Sequence, residues 1–330
     1  MKSSLIICTY MRPQALQRLL ESVMAQTQLP DEILIVDGST NAETEELLEK
    51  STYKNLRYYK VPDAERGLTR QRNYGIARVS PETDIICFLD DDTLLFPDYF
   101  EQLLSTYHKQ PEAAAVGGLI VNEVNWTAVS ADYKPNANEY VYDDYKRTDG
   151  SRFVLRKKLR LDSDVPPAHF PEFGHGRSVS FLPQSGKIYP VQQIMGGVSS
   201  FRKEVFTTMQ FSTYFEGYGL YEDADFSLRL SKTKKLFVNT AAHLEHHHEP
   251  DGRPNQYNYG KMVVRNGWYV WRVAHPNPSL KAKIKWHAIT ILLTKIRFVN
   301  VLTTSKRKAA FTEAMGRTVG WWSLFFKSPK

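Results

Sequence analysis

Cysteine is almost missing: Cys8 and Cys87 are the only two in 330 residues, too few for a disulfide framework or a thiolate-held zinc. Both lie in short apolar runs, LIIC and IICFL, the setting of buried, reduced thiols. The start lacks the charged stretch, apolar run and small-residue cleavage site of a secretory signal, since MKSSLIICTY passes straight into TYMRPQALQR. A cytoplasmic chain is expected, and Asn125-Trp126-Thr127 carries no weight as a glycosylation sequon there. No internal repeat or low-complexity tract occurs. The glycine-rich phosphate loops of dinucleotide and P-loop folds are also missing where TYMRPQ follows the first apolar run, which removes the main support for hydride transfer or P-loop chemistry.

With 42% hydrophobic and 12% aromatic residues, the chain can bury a large core as one large domain or two modest ones. Its net charge of +7 is unevenly placed. Residues 281–330 hold eleven Lys or Arg against one acidic residue, Glu313, a balance of +10 that leaves −3 for the first 280 residues. That asymmetry argues against a basic groove along the main body and towards an anionic surface met by one end.

The first third alternates strand and helix signals. SLIICT reads as a buried strand, PQALQRLLESVMAQ as an amphipathic helix opened by Pro13, EILIVDGST as a strand ending in turn residues and AETEELLEK as a helix. LRYYKV, LTRQRNYGIARV and DIICFL continue as strand, helix and strand, so a parallel sheet with helices on both faces is expected. Ligands of such sheets bind beyond the carboxyl ends of the strands. Thr9, Tyr10, Arg12, Asp37, Asp63 to Arg66 and Asp90 to Asp92 can therefore share one crevice.

The triplet Asp90-Asp91-Asp92 closes an apolar run, and ionised neighbours at a strand end repel unless something positive compensates. Two compensations are open. Asp92 or Thr93 can cap a helix running through Pro97 to about His108, with acidic residues favoured by its dipole. Alternatively a hard divalent cation, Mg²⁺ or Mn²⁺, can sit between the carboxylates and a substrate's phosphates.

The ordered set LIICTYMRPQALQRLLESVMAQT, ILIVDGST, GLTRQRNYGIA, FLDDDT, GGVSSFRKEVF and GYGLYEDADFSLRL resembles the family 2 glycosyltransferases, inverting enzymes with the GT-A fold. The resemblance spans residues 3 to about 250. It implies a mostly parallel, Rossmann-like sheet flanked by helices, with a C-terminal helical extension. It implies a nucleoside-diphosphate sugar as donor and a DxD-type motif at Asp90 and Asp92, with Asp91 between, bridged to the diphosphate by Mg²⁺ or Mn²⁺. Arg72, on one helical turn with Arg70 and beside Asn73, is placed near the donor phosphates, the alternative being a solvated helix face. Asp223 takes the part of the base and Glu222 orients it or contacts the acceptor, while Asp225 reads as a helix-start carboxylate. Gly196 and Gly197 let backbone approach the sugar, or form a tight turn before a strand. Within His243, His246, His247 and His248, clustered without cysteine or an HExxH pattern, zinc is set aside. The resemblance instead offers His246 or His248 as a further ligand of the metal. VDGST departs from the family in having Asp37 alone after the second strand, which leaves UDP, dTDP and GDP donors open.

Three parts are expected: residues 1–121 as the nucleotide-sugar half, 122–250 as the acceptor half with the base, and 251–330 as a basic, apolar helical extension. Between Val121 and Tyr189 periodicity dissolves into a polar and aromatic stretch of the kind that forms lids and binding loops. From Trp286 to Leu302 the tail is apolar, but Lys295 and Arg297 interrupt a run that would need about 20 apolar residues to span a membrane. The tail either lies on an anionic membrane, with Trp321, Trp322, Phe325 and Phe326 at headgroup depth, or packs as a helical subdomain. The function expected is transfer of a sugar to a hydroxyl of a glycan or lipid-linked acceptor, in polysaccharide or glycolipid synthesis, by a cytoplasmic chain that is either free or, if its tail meets lipid, peripheral on the inner face of the cell membrane, and that does not bind nucleic acid. A non-catalytic nucleotide-sugar or glycan-binding protein is the rival reading; a sugar-phosphate nucleotidylyltransferase would need a glycine-rich loop that is absent.

Overall fold

The computed structural model describes residues 1–215, 217–248 and 254–329. They form two compact units: Met1–Asn125 with Leu182–Gly252, and Trp126–Phe181 with Arg253–Lys330.

In chain order the elements begin with β1 (Ser3–Thr9), α1 (Pro13–Met24), β2 (Glu32–Asp37), α2 (Glu43–Glu49), β3 (Leu56–Lys60) and α3 (Leu68–Ile76). There follow β4 (Ile85–Asp90), β5 (Thr93–Leu95), α4 (Tyr99–Lys109) and β6 (Ala113–Ile120). The second unit contributes β7 (Thr127–Ala128), β8 (Glu139–Tyr142), β9 (Tyr145–Thr148) and α5 (Ser151–Lys158). The chain returns to the first unit with β10 (Ile188–Val191), β11 (Val198–Arg202), α6 (Glu222–Leu230) and β12 (Lys235–His246). Three helices of the second unit, α7 (Gln256–Ala274), α8 (Leu280–Thr303) and α9 (Arg307–Ser323), complete the description.

The first unit is built on a nine-stranded sheet in the order β10-β12-β6-β11-β4-β1-β2-β3, with β5 pairing β12. Its first half is parallel, β4-β1-β2-β3. All six residues of β2 are buried, as expected of a parallel strand covered on both faces. Pro13 opens α1 without sacrificing a hydrogen bond, and Ala15, Leu16, Leu19, Leu20 and Val23 recur on its buried face. Helix α3 lies so close to the sheet that a Cβ on Gly75 would sit 2.8 Å from Ile6 Cγ2.

The second half of the sheet is mixed. Strand β11 runs antiparallel between β4 and β6, β10 runs antiparallel to β12, and β12 is parallel to β6. Parallel pairing is continuous in β4-β1-β2-β3 and recurs between β12 and β6, with antiparallel strands interleaved in the second half. No helix starts at Asp92 or Thr93: Thr93–Leu95 is a strand paired with Leu244–His246, and the helix begins at Tyr99. The reason is non-local, since the partner strand lies some 150 positions downstream.

The units also divide the chain differently from the three expected parts. Residues 126–181 group with the C-terminal helices rather than with the segment carrying Asp223, and the expected boundary at 250/251 lies outside the described residues. In the second unit, Arg177 is buried and paired with Asp149 at 2.8 Å and Asp162 at 2.6 Å, beneath Tyr140 and Phe153. Trp271 stacks on Trp286 at 5.3 Å and donates its indole N–H to the Glu172 carbonyl at 2.7 Å. The later part of the stretch, from Asp149 on, thus contributes buried side chains to a core, whereas residues 121–148 stay half-buried or exposed.

Candidate active site

Chain order reverses between β1 and β4, and a crevice opens beyond their carboxyl ends. Asp90 ends β4 there, and Asp91 and Asp92 form the turn into β5, which points the three carboxylates to different partners. The Asp91 side chain is only 5% exposed; its Oδ2 accepts from Thr9 Oγ1 at 2.7 Å and its Oδ1 from Arg12 Nη1 at 3.1 Å. Asp90 faces the crevice, 41% exposed. Asp92 receives His246 Nε2 at 3.0 Å and lies 3.5 Å from Arg12. Burial lifts the Asp91 carboxyl to about 7, even though Arg12 and the Thr9 hydroxyl favour its charge, because Asp92 and Asp90 oppose it.

On the other wall, Arg72 reaches in from α3, its guanidinium beside the edge-to-face pair Phe88 and Phe211, 5.5 and 5.2 Å from their centroids. It pairs with Glu222 through Nη1 and reaches Asp90 through Nη2 at 3.5 Å. Burial holds the Glu222 carboxyl above the ordinary carboxylate range against the pull of Arg72, and its second oxygen is buried without a partner. Asp223, next along, is half-buried at the first turn of α6. Its Oδ1 accepts the Ala224 N–H at 2.7 Å and its Oδ2 the Gly196 N–H at 3.2 Å, which fix the carboxyl in place.

Gly196 and Gly197 form the turn before β11 and close the floor. A Cβ on Gly196 would collide with Glu222 Oε1 and stand 2.7 Å from Arg72 Nη1; one on Gly197 would overlap the Asp90 carboxylate. The space these glycines leave is occupied by the protein's own charged groups.

Asp90, Asp92 and His246 offer ligand atoms within 4.8 Å of one another, and Glu123, His246 and His248 form a second such set. Two carboxylates and an imidazole suit a hard or borderline divalent cation such as Mg²⁺ or Mn²⁺. His248 bonds Glu123 at 2.9 Å and stands outside the first set. Burial opposes charge on the His246 ring, but its bonds to Asp92 and Glu123 outweigh that and raise it to about 10.

The other expected residues are placed as follows. Asp37 is fully buried, its oxygens taken by the Ser39 N–H at 2.7 Å and the Tyr58 hydroxyl at 2.9 Å. Tyr10 is exposed at the end of β1. Arg70 turns to the Ala64 carbonyl at 2.8 Å, Asn73 holds the backbone of Phe211 from both sides, and Asp225 pairs with Arg229 at 2.8 Å. Two participants escaped sequence reasoning. Gln71 ties the ends of β1 and β2 together through the Thr9 and Val36 carbonyls at 3.1 and 2.8 Å. Glu123 stands three residues past the carboxyl end of the buried strand β6, as Asp37 and Asp90 stand at the carboxyl ends of β2 and β4, and that placement was the signal available for it.

Residues 4–153 match the model of glycosyl transferase family 2. Curated relatives include a glucosyl-dolichyl phosphate glucuronosyltransferase of Haloferax volcanii, 31% identical over 41% of this chain and 42% of its own length. Another is the O-antigen chain rhamnosyltransferase RfbN of Salmonella typhimurium, 30% identical over 36% and 37%. The matched stretches thus span less than half of these relatives. Among solved structures, GalNAc-T7 with UDP, GalNAc and Mn²⁺ aligns at a TM-score of 0.51 and 17% identity, covering 80% of this chain and 48% of that one. The likeness at that identity speaks for the fold, and the family match stops short of Glu222, Asp223 and His246. Residues 4–153 are thus similar to glycosyl transferase family 2, and the fold is that of the GT-A glycosyltransferases.

Proposed function

We propose that the chain is a metal-assisted, inverting glycosyltransferase that moves a sugar from a nucleoside diphosphate to a hydroxyl acceptor by single displacement. The observation that carries this reading is the convergence of Asp90, Asp92, Arg72, Glu222, Asp223 and His246, from four separate elements, on one crevice. Asp90, Asp92 and His246 would hold Mg²⁺ or Mn²⁺, which when bound neutralises charge on the departing diphosphate. Arg72 adds a fixed cation beside them and Arg12 keeps Asp91 and Asp92 in place.

Inversion needs a base on the face of the sugar opposite the leaving group. Asp223 fits that role: two backbone N–H groups hold its carboxylate, leaving lone pairs to accept the acceptor's proton as its oxygen attacks. Glu222, pinned to Arg72, fixes the turn on which Asp223 stands. Thr9, Tyr10, Asp37 and Gln71 shape the donor side. The names of the relatives, one acting on a lipid-linked phosphate and one on O-antigen, favour a lipid-linked glycan acceptor. That in turn suits a peripheral place on the inner face of the cell membrane.

The test is a screen of UDP, dTDP and GDP sugars with Mn²⁺ and then with chelator, read as donor hydrolysis and melting temperature. At least one donor should raise the melting temperature and be hydrolysed only with metal. Silence towards every donor contradicts the proposal.

A further inference from the structure

Helix α9 is inside out. Past its first turn its exposed positions are Phe311, Met315, Val319 and Trp322, all apolar and spaced by four, four and three, so they fall on one face. Its buried positions are small or charged: Ala310, Glu313, Ala314, Gly316 and Gly320. Those glycines let the helix press onto α7, where a Cβ on Gly316 would collide with the Tyr257 carbonyl. Glu313 is neutralised by Arg297 at 2.7 Å and Arg317 at 2.8 Å. A surface helix of a water-soluble protein shows the opposite polarity.

Helix α8 buries Trp286 and Ile289 in the ordinary way, yet it also leaves apolar side chains outside: from Ile284 onward its exposed positions are Ile291, Lys295, Val299, Leu302 and Thr303, with Leu302 80% exposed. Beyond α9, Phe325 is exposed and Phe326 is 87% exposed. Lys306, Arg307 and Lys308, all exposed, stand one turn before Phe311. Among the described residues no helix is long and apolar enough to cross a membrane.

We infer that the exposed faces of α8 and α9 form a docking surface for an anionic lipid bilayer. The inference sharpens the membrane location suggested above and rests on that reading. Charge decides the occupant. A second copy would set the +10 of residues 281–330 against its like, whereas anionic headgroups attract it while aromatic rings enter the interface. The helices lie along the surface, with Phe311, Met315 and Trp322 in the acyl boundary and Lys306 to Lys308 among phosphates.

The test uses the whole chain, without donor, and flotation on vesicles of phosphatidylcholine alone or with 30% phosphatidylglycerol. Binding to the anionic vesicles should exceed that to the neutral ones at least tenfold and fall steeply between 0.1 and 0.5 M NaCl. The variant F311S/M315S/W322S should lose tenfold or more on anionic vesicles with melting temperature and donor hydrolysis unchanged; K306Q/R307Q/K308Q should lose the preference for anionic lipid. Absence of binding to either vesicle overturns the inference. So does binding unaffected by both variants, or a concentration-dependent dimer that F311S/M315S/W322S dissolves. Donor hydrolysis is read separately, so failure of docking and failure of the transferase reading are distinguishable.

Discussion

Asp223 and Glu222 are neighbours with different tasks. Only Asp223 is half-open and held by two N–H groups, so Asp223→Asn should lower kcat by roughly 10²- to 10⁴-fold, the usual range for removing a general base. Donor affinity, measured by calorimetry, should stay within a few-fold; a large loss of affinity instead would make Asp223 a binding residue. Glu222 is buried against Arg72, so Arg72→Ala leaves a carboxylate enclosed without its partner and should cost about 3–5 kcal/mol in chemical denaturation. The double variant R72M/E222L should recover much of that stability and remain inactive. Gly197→Ala drives a methyl into the Asp90 carboxylate and should weaken Mn²⁺ binding by at least tenfold, with little change in far-UV spectrum. At this scale the sequence was informative about residue type and less so about direction. It grouped Arg70 with Arg72, but only the latter turns inward; it grouped three aspartates, but the turn after β4 sends Asp91 to Thr9 and Arg12.

Elements that depend on local pattern were legible. Strands β1 to β4 and helices α1 to α3 stood where apolar runs and periodicity placed them, because each is buried mainly by its immediate neighbours in the βα alternation. Strand β5 was not, since its three residues become a strand only through Leu244 to His246. The second unit shows the same limit: α5 and the loop through Arg177 meet helices a hundred residues later. His175 in that loop lies against Trp286, and burial, aided by Arg156 and Arg317, lowers its pKa to about 3. A histidine whose folded pKa lies below its unfolded value takes up its proton only on unfolding, so its contribution is present above about pH 6.5 and is lost as pH falls below that. His175→Gln should therefore flatten the fall in stability between pH 6.5 and 5, by up to about 1.4 kcal/mol per pH unit. An unchanged slope in urea titrations would show the ring free to charge in the folded state.

At the scale of the molecule, the charge asymmetry was visible in composition, but the unit to which the basic tail belongs was not, because residues 126–181 carry no strong period of their own. Trp271 and Trp286 bury the segment around Phe170 and Phe173. A chain ending at residue 248 should consequently expose that segment, bind 1-anilinonaphthalene-8-sulfonate strongly and aggregate. A truncated chain that stayed monomeric without added dye binding would contradict the grouping. The first unit, by contrast, holds every residue assigned to sugar transfer. Its central claim is that a cation shared with a diphosphate compensates the carboxylates at the end of β4. The most direct measurement is anomalous diffraction from a crystal soaked with Mn²⁺ and whichever of UDP, dTDP or GDP gives the largest melting shift. The account predicts a manganese peak within bonding distance of Asp90 and Asp92 and of the diphosphate oxygens; a nucleotide bound with no manganese at those carboxylates would contradict it.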